Sequence, residues 1–260
     1  MKLLSLIERE ERFGNNIRQE KTIEERYPKR YSNEGGGGYG IPSSDLMESI
    51  IWVWLKWHMN QQIKDIQKAL RPVVLRSILL NEDKKNAQRF REDHDHFLIQ
   101  LAVLSGSKEL RYAAAKSVRE AVEGAETYQY YQAWTGILKY RILGDEREVQ
   151  KQFEIMQRYK PLRYYVFPTK KTVETFVKKD YKGLHKAIKQ RSEQFWKFAE
   201  QWGAIREENG EKVLDVKKFD LNFFWPWVEC TFAKLAYLDG ADITYDSVWL
   251  PLDFVKAIER

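Results

Sequence analysis

The run best suited to hold a metal ion is Arg91-Glu92-Asp93-His94-Asp95-His96. Carboxylates and imidazoles are ordinary ligands for zinc, iron or manganese. Spacing decides against a simple site. His94 and His96 lie two positions apart, about 200° around a helix, and cannot face one ion. Glu92 and His96 share a face at i,i+4, but no second Glu-x-x-His and no His-Glu-x-x-His accompanies them. A site would need ligands from elsewhere, such as His58 or His185. The expectation is a polar helix start exposed to water, with no metal and no other cofactor.

Nucleophilic chemistry has less to work with. Cys230 stands in Trp227-Val228-Glu229-Cys230-Thr231-Phe232 among bulky apolar helical neighbours, the setting of a buried small hydrophobe rather than a thiolate. Gly-x-Ser-x-Gly is absent, and Ser105-Gly106-Ser107 reads as a loop between helices. Gly35 to Gly38 are followed by no Gly-Lys-Ser/Thr and preceded by no strand, so they make a mobile loop and not a phosphate cradle. The reading is of a protein that is not an enzyme. Arg158-Tyr159-Lys160 and Arg163-Tyr164-Tyr165 alternate bases with aromatics. They could stack nucleobases and contact phosphate, or equally form a protein interface. The nucleic-acid reading needs them on one surface with Lys170, Lys171, Lys178 and Lys179.

The elements that would carry these groups have a 3.6-residue period almost throughout. Residues 3–26 form an amphipathic pattern that Pro28 and the glycines end. Ser43 or Ser44 can cap a helix whose core, Ile50 to Trp57, is apolar on nearly every side and whose continuation reaches Leu70. Pro72 should begin or kink the next segment, up to Leu80. Further helices are expected over 88–104, 108–122, 125–143, 146–159, 170–179, 181–202, about 224–238 and from Leu252. Residues 163–168 read as an extended connector. Asn209-Gly210 is a turn signal, and 212–216 could be a short strand or an exposed loop. The sum is an all-α array of antiparallel helical hairpins with at most one short hairpin or extended segment. Its parts are an N-terminal helix (1–30), the Gly-rich loop (31–42), a helical part (43–162) and a second helical part (163–260) packed closely against it.

Composition supports this reading. The chain has 260 residues, 43% hydrophobic and 14% aromatic, which excludes a wholly disordered polymer. One cysteine excludes an intrachain disulfide. No apolar run approaches the roughly 18 to 20 residues that span a bilayer. Acidic residues interrupt the N-terminal apolar stretch, so no secretory signal is read and the expected location is cytoplasmic, with no membrane partner. The net charge of +6 is uneven. Residues 163–218 carry 14 basic and 8 acidic side chains, whereas 219–260 carry 3 basic and 7 acidic. Elsewhere Lys and Glu interleave, the pattern of a solvated surface rather than a nucleic-acid stripe.

The C-terminal region is the most distinctive. Phe224-Trp225-Pro226-Trp227-Val228-Glu229-Cys230-Thr231-Phe232-Ala233-Lys234-Leu235-Ala236-Tyr237-Leu238-Asp239-Gly240-Ala241-Asp242, with Leu250-Pro251-Leu252-Asp253-Phe254-Val255, resembles the carboxy-terminal end of the immunity proteins that neutralise PoNe-type DNase toxins in bacterial polymorphic-toxin systems. The matching elements are Trp227, Glu229, Ala233, Leu238, Asp239, Pro251 and Asp253. The resemblance spans about residues 110–258 unevenly, and Trp225-Pro226-Trp227-Val228-Glu229 replaces the family's Tyr-Trp-x-x-Glu approach. It implies a non-enzymatic protein whose partner is a cognate toxin, a DNase, with no direct contact to nucleic acid. The alternative is a helical nucleic-acid-associated or regulatory binding protein. The candidate binding residues are Trp225, Trp227, Glu229, Asp239, Asp242, Asp246 and Asp253. Read residue by residue, the two tryptophans belong to the core and Asp253 serves the start of the last helix. A buried Glu229 must be hydrogen-bonded or paired. The reading is that it clamps the following loop through N–H groups near 239–242, rather than touching a partner.

Overall fold

The computed structural model describes residues 53, 56, 62–82, 94–119, 129–159, 169–201, 203–208, 210–214, 226–246 and 250–260. The helix expected over 3–26, the Gly-rich loop, the Ser43 or Ser44 cap and the 163–168 connector lie outside them.

Two helices are apolar nearly all round, and both lie at the centre. One is His94–Leu104, in which Phe97 to Leu104 are buried without interruption. The other is Pro226–Leu238, buried from Val228 to Ala236. A helix without a polar face needs neighbours on every side. In chain order the described helices are α1 (Ile63–Glu82), α2 (His94–Leu104), α3 (Lys108–Ser117), α4 (Gln129–Leu143), α5 (Glu146–Arg158), α6 (Lys170–Val177), α7 (Tyr181–Gln201), α8 (Pro226–Leu238) and α9 (Leu252–Lys256). Helix α2 is covered by α1, α3 and α4, and α8 by α2, α6, α7 and α9. The α2–α8 contact therefore joins early and late parts of the chain. Val53, wholly buried, and Lys56 are also helical.

Consecutive helices pack on each other from α3 to α7, the hairpin array that the short links imply. The α4–α5 hairpin shows how local sequence arranges it. Gly144, at φ 79, makes the turn, and the Asp145 carboxylate accepts from the Glu148 N–H at 3.1 Å to cap α5. Val149, Phe153 and Met156 then face the core while the opposite face of α5 is charged. Gly136 lets the helices approach closely, since a Cβ there would come within 2.6 Å of the Gln152 side chain.

A two-stranded antiparallel hairpin is the only sheet among the described residues. Strand β1 (Ile205–Glu208) pairs with β2 (Glu211–Leu214), with Ile205 opposite Leu214 and Gly210 in the turn at φ 79. Sequence reading had a candidate only for the second strand.

Two boundaries differ from expectation. Helix α1 runs through Pro72 instead of starting there. Pro72 lies on the exposed face with Lys68, whose carbonyl loses its helical donor, while Ile66, Leu70, Val73, Val74 and Ile78 keep one buried stripe. Helix α3 stops at Ser117, short of 122. Its next backbone groups go elsewhere: the Val118 carbonyl accepts from Lys139 at 3.1 Å, and the Arg119 N–H donates to Asp95 at 3.2 Å.

Candidate functional site

Helix α8 and the segment that follows it carry the candidate binding residues. Gly240, at φ 93, ends the helix. The N–H groups of Asp239, Gly240 and Ala241 donate to the carbonyls of Leu235, Tyr237 and Ala236, closing the last turn on itself. These N–H groups are thus unavailable to Glu229, which lies ten residues, or about 15 Å of helix, away. The expected loop clamp is not what holds Glu229. Its carboxylate is buried and its counter-charge is Arg191 of α7, whose Nε is 3.5 Å from Oε1. Neither carboxylate oxygen accepts a hydrogen bond among the described residues. Burial pushes the Glu229 carboxyl up to about 7, offset only in part by the Arg191 charge and the residue's own backbone N–H.

The aspartates are at the surface. Asp239 accepts from the Tyr181 hydroxyl at 3.1 Å and lies 3.6 Å from Nη1 of Arg141. Burial, then the Asp239 charge, push the Tyr181 hydroxyl up to about 12. Asp246 accepts from the Leu252 N–H at 2.9 Å and so caps α9 from six residues upstream. Asp253 sits exposed in the first turn of α9, at the start of the last helix as expected, while Pro251 at the cap position offers no side-chain hydrogen bond. Asp242 is exposed on the segment between them. Trp225 lies outside the described residues, as does the side chain of Trp227.

Of the run Arg91–His96, Arg91 to Asp93 and the His94 side chain lie outside the described residues, and the remaining two side chains are not solvated as expected. Asp95 and His96 are buried. Asp95 accepts from Arg119 Nε at 2.7 Å and from Asn81 at 2.9 Å, and the His96 ring packs 4.0 Å from Phe97 and 5.5 Å from Trp134. Neighbours distant in sequence turn this polar stretch inward. Among the described residues no three His, Cys, Asp or Glu side chains gather where a metal could bind. Cys230 is fully buried, which pushes its thiol up to about 12. Ser107 caps α3, its hydroxyl accepting from the Leu110 N–H at 3.4 Å. The lysines of the nucleic-acid reading face acceptors of the protein itself. Lys171 and Lys178 lie near Glu174, Lys179 is 3.0 Å from Glu146, and Lys170 donates to the Gln157 carbonyl. Lys160 and Arg163 to Tyr165 lie outside the described residues.

Four buried cations among the described residues, Arg111, Arg141, Arg191 and Lys234, escaped the sequence reading. Arg141 donates to Glu146 at 2.7 Å and to the carbonyls of Val177 and Phe176 at 3.2 and 3.4 Å, closing the end of α6. Lys234, at 0% exposure in the middle of α8, donates to the carbonyls of Phe254 and Ala257. Its signal was a lone lysine in an otherwise apolar helix, the pattern already weighed for Glu229.

Comparison with models of known protein families finds no match, and comparisons with curated proteins and with solved structures find none either. No helix among the described residues is long and apolar enough to cross a membrane.

Proposed function

We propose that this is a cytoplasmic, non-enzymatic helical protein that binds and neutralises a cognate antibacterial toxin, a nuclease, as the resemblance of its C-terminal region to immunity proteins of PoNe-type DNases implies. The observation that carries the proposal is the acidic stretch after α8, described over 239–246 and 250–253. Asp239, Asp242, Asp246 and Asp253 are exposed along it, and two of them are held in place by Tyr181 and by the Leu252 N–H. Exposed carboxylates suit the basic cleft with which a nuclease holds DNA, and complementary charge both steers and selects such a partner. Inhibition is steric and electrostatic: the helical body covers the cleft and the aspartates occupy places meant for phosphate. Glu229 supports this surface from inside rather than touching the toxin. The neutralised lysines of α6 and its C-terminal turn speak against the nucleic-acid alternative.

Co-expression with the toxin candidate encoded beside the gene tests the reading, together with titration against duplex DNA at 150 mM salt. Survival of the producing cell with negligible DNA binding is the expected result. Nanomolar affinity for the toxin, worth about 12 kcal/mol, is what neutralisation demands. Failure to protect, with sub-micromolar DNA binding at that salt, overturns the reading in favour of the alternative.

A further inference from the structure

Around α7 the side chains change character in a fixed order. Leu184, Ile188 and Arg191 are buried on its inner face. Tyr181 and His185, one turn apart, meet the segment that follows α8. The Tyr181 hydroxyl donates to Asp239 at 3.1 Å, and the His185 ring stands edge-on to Tyr245 with 5.8 Å between centroids. Next round the helix come Lys182, Lys186 and Lys189, all exposed and within about 60° of one another at 100° per residue. Among the described residues none of the three is paired with a carboxylate. Asp180, the nearest carboxylate in sequence, accepts from the Gly183 N–H at 2.9 Å. Farther along the same row Glu193, Lys197 and Glu200 alternate in sign, the pattern of a solvated face. The purely basic stretch is therefore the part of α7 that lies beside residues 239–246. It stands there against local preference. Lys182 lies at the positive end of the helix dipole, in a first turn that holds no acidic residue. It is also four residues from Lys186, a like-charge spacing that disfavours a helix.

We propose that Lys182, Lys186 and Lys189 turn the acidic docking surface beside them into a two-signed one, and that they take carboxylates of the same protein whose basic groups the aspartates take. The inference rests on the toxin reading and adds what the toxin must present: bases next to carboxylates. Phosphate is the other anion that a lysine row could hold. A nucleic-acid strand laid along Lys182 to Lys189 would run beside the segment that carries Asp239, Asp242 and Asp246, which repels it. A protein surface of both signs meets attraction along both rows. A metal-dependent nuclease has such a surface, since carboxylates hold its metal ions next to the bases that grip the DNA backbone. Opposite charges side by side also set orientation, because a partner turned end for end places like charge on like. Lysine, a hydrated point charge on a flexible stem, suits this use. The three are solvated in the free protein, so they act on encounter and orientation more than on the lifetime of the complex.

Charge reversal tests this without touching the core. The triple variant Lys182→Glu, Lys186→Glu, Lys189→Glu is compared with Lys64→Glu, Lys68→Glu, Lys116→Glu, which makes the same change of net charge on exposed lysines of α1 and α3. The probe is the purified toxin candidate encoded beside the gene, with association read by stopped flow at rising salt. In the α7 variant association should slow about tenfold at low salt and approach the native rate as salt screens the charges. The control variant should slow far less, and the α7 variant with glutamine at the same three positions should lie between. Thermal unfolding of all three should stay within a few degrees of the native chain, since every changed side chain is exposed. An α7 variant that associates like the native chain, or a control that slows as much, overturns the inference and leaves the toxin reading standing. A native chain that does not bind the toxin ends both. Duplex DNA is the second probe. Sub-micromolar binding at 150 mM salt that the α7 variant abolishes overturns the inference by assigning the row to phosphate.

Discussion

Glu229 and Lys234 sit five residues apart on the same helix, both buried and of opposite charge, yet they are accommodated in different ways. Glu229 has a counter-charge and lacks hydrogen bonds; Lys234 has hydrogen bonds and lacks a counter-charge. Both are pushed towards their neutral forms, to about 7 and about 8. Each partial solution leaves desolvation uncompensated, which is why buried ion pairs are poor sources of stability even when breaking one is costly. Proximity of opposite charge and saturation of polar atoms are separate requirements, and this helix meets one at each end.

The sharpest way to break the comparison is Glu229→Ala. It leaves the Arg191 guanidinium buried without this counter-charge and should destabilise the fold by about 4 kcal/mol in denaturant titration. Affinity for the toxin, measured well below the unfolding midpoint, should fall far less. An unchanged melting temperature with lost binding would move Glu229 to the interface.

Next in size is a pH effect. The Glu229 carboxyl titrates near 7 folded and near 4.5 unfolded, so its contribution is intact below pH 4.5 and lost as pH rises to 7. The loss is on the order of 3 kcal/mol. Comparing stability at pH 5 and pH 7.5 in the native chain and in Glu229→Gln isolates it, because only the native chain should show this component.

Lys234→Met fills the space but offers no donor. The Phe254 carbonyl is then buried without the lysine, at a cost of about 2 kcal/mol by the same titration. Its effect should be smaller than that of Glu229→Ala, since no counter-charge is removed. The reverse order would mean that hydrogen bonds matter more than counter-charge here. The smallest effect serves as a control far from both groups. Asp145→Ala removes the cap of α5 and should cost about 1 kcal/mol in thermal unfolding.

The two buried charges also mark the limit of what could be read from the chain. Periodicity located α2 to α8, because a helix that buries one stripe must repeat it every 3.6 residues. Turn chemistry placed the turn at Gly210, since it needs only local backbone geometry. Partner choice could not be read that way. Glu229 was recognised as needing a partner, but Arg191 stands on another helix. Asp95 and His96 looked solvated because Asn81, Arg119 and Trp134, which cover them, are far away in sequence. The surface aspartates were legible as a charge excess, yet the capping bond from the Leu252 N–H to Asp246 depends on how the segment folds back.

The fastening of the residues after α9, where Gln67 donates to Ala257 and Arg111 to Glu259, has a consequence for the order in which the chain folds. It joins positions far apart: 190 residues separate Gln67 from Ala257, and 148 separate Arg111 from Glu259. The α4–α5 hairpin closes across a turn of a few residues. Contacts that close long loops meet the larger entropic barrier and form late. These fastenings are therefore expected to form in the descent after the transition state. Weakening them should accelerate unfolding and leave the refolding rate nearly untouched. The helical hairpins then come from fast local assembly, while slow unfolding draws on long-range contacts that arrive last.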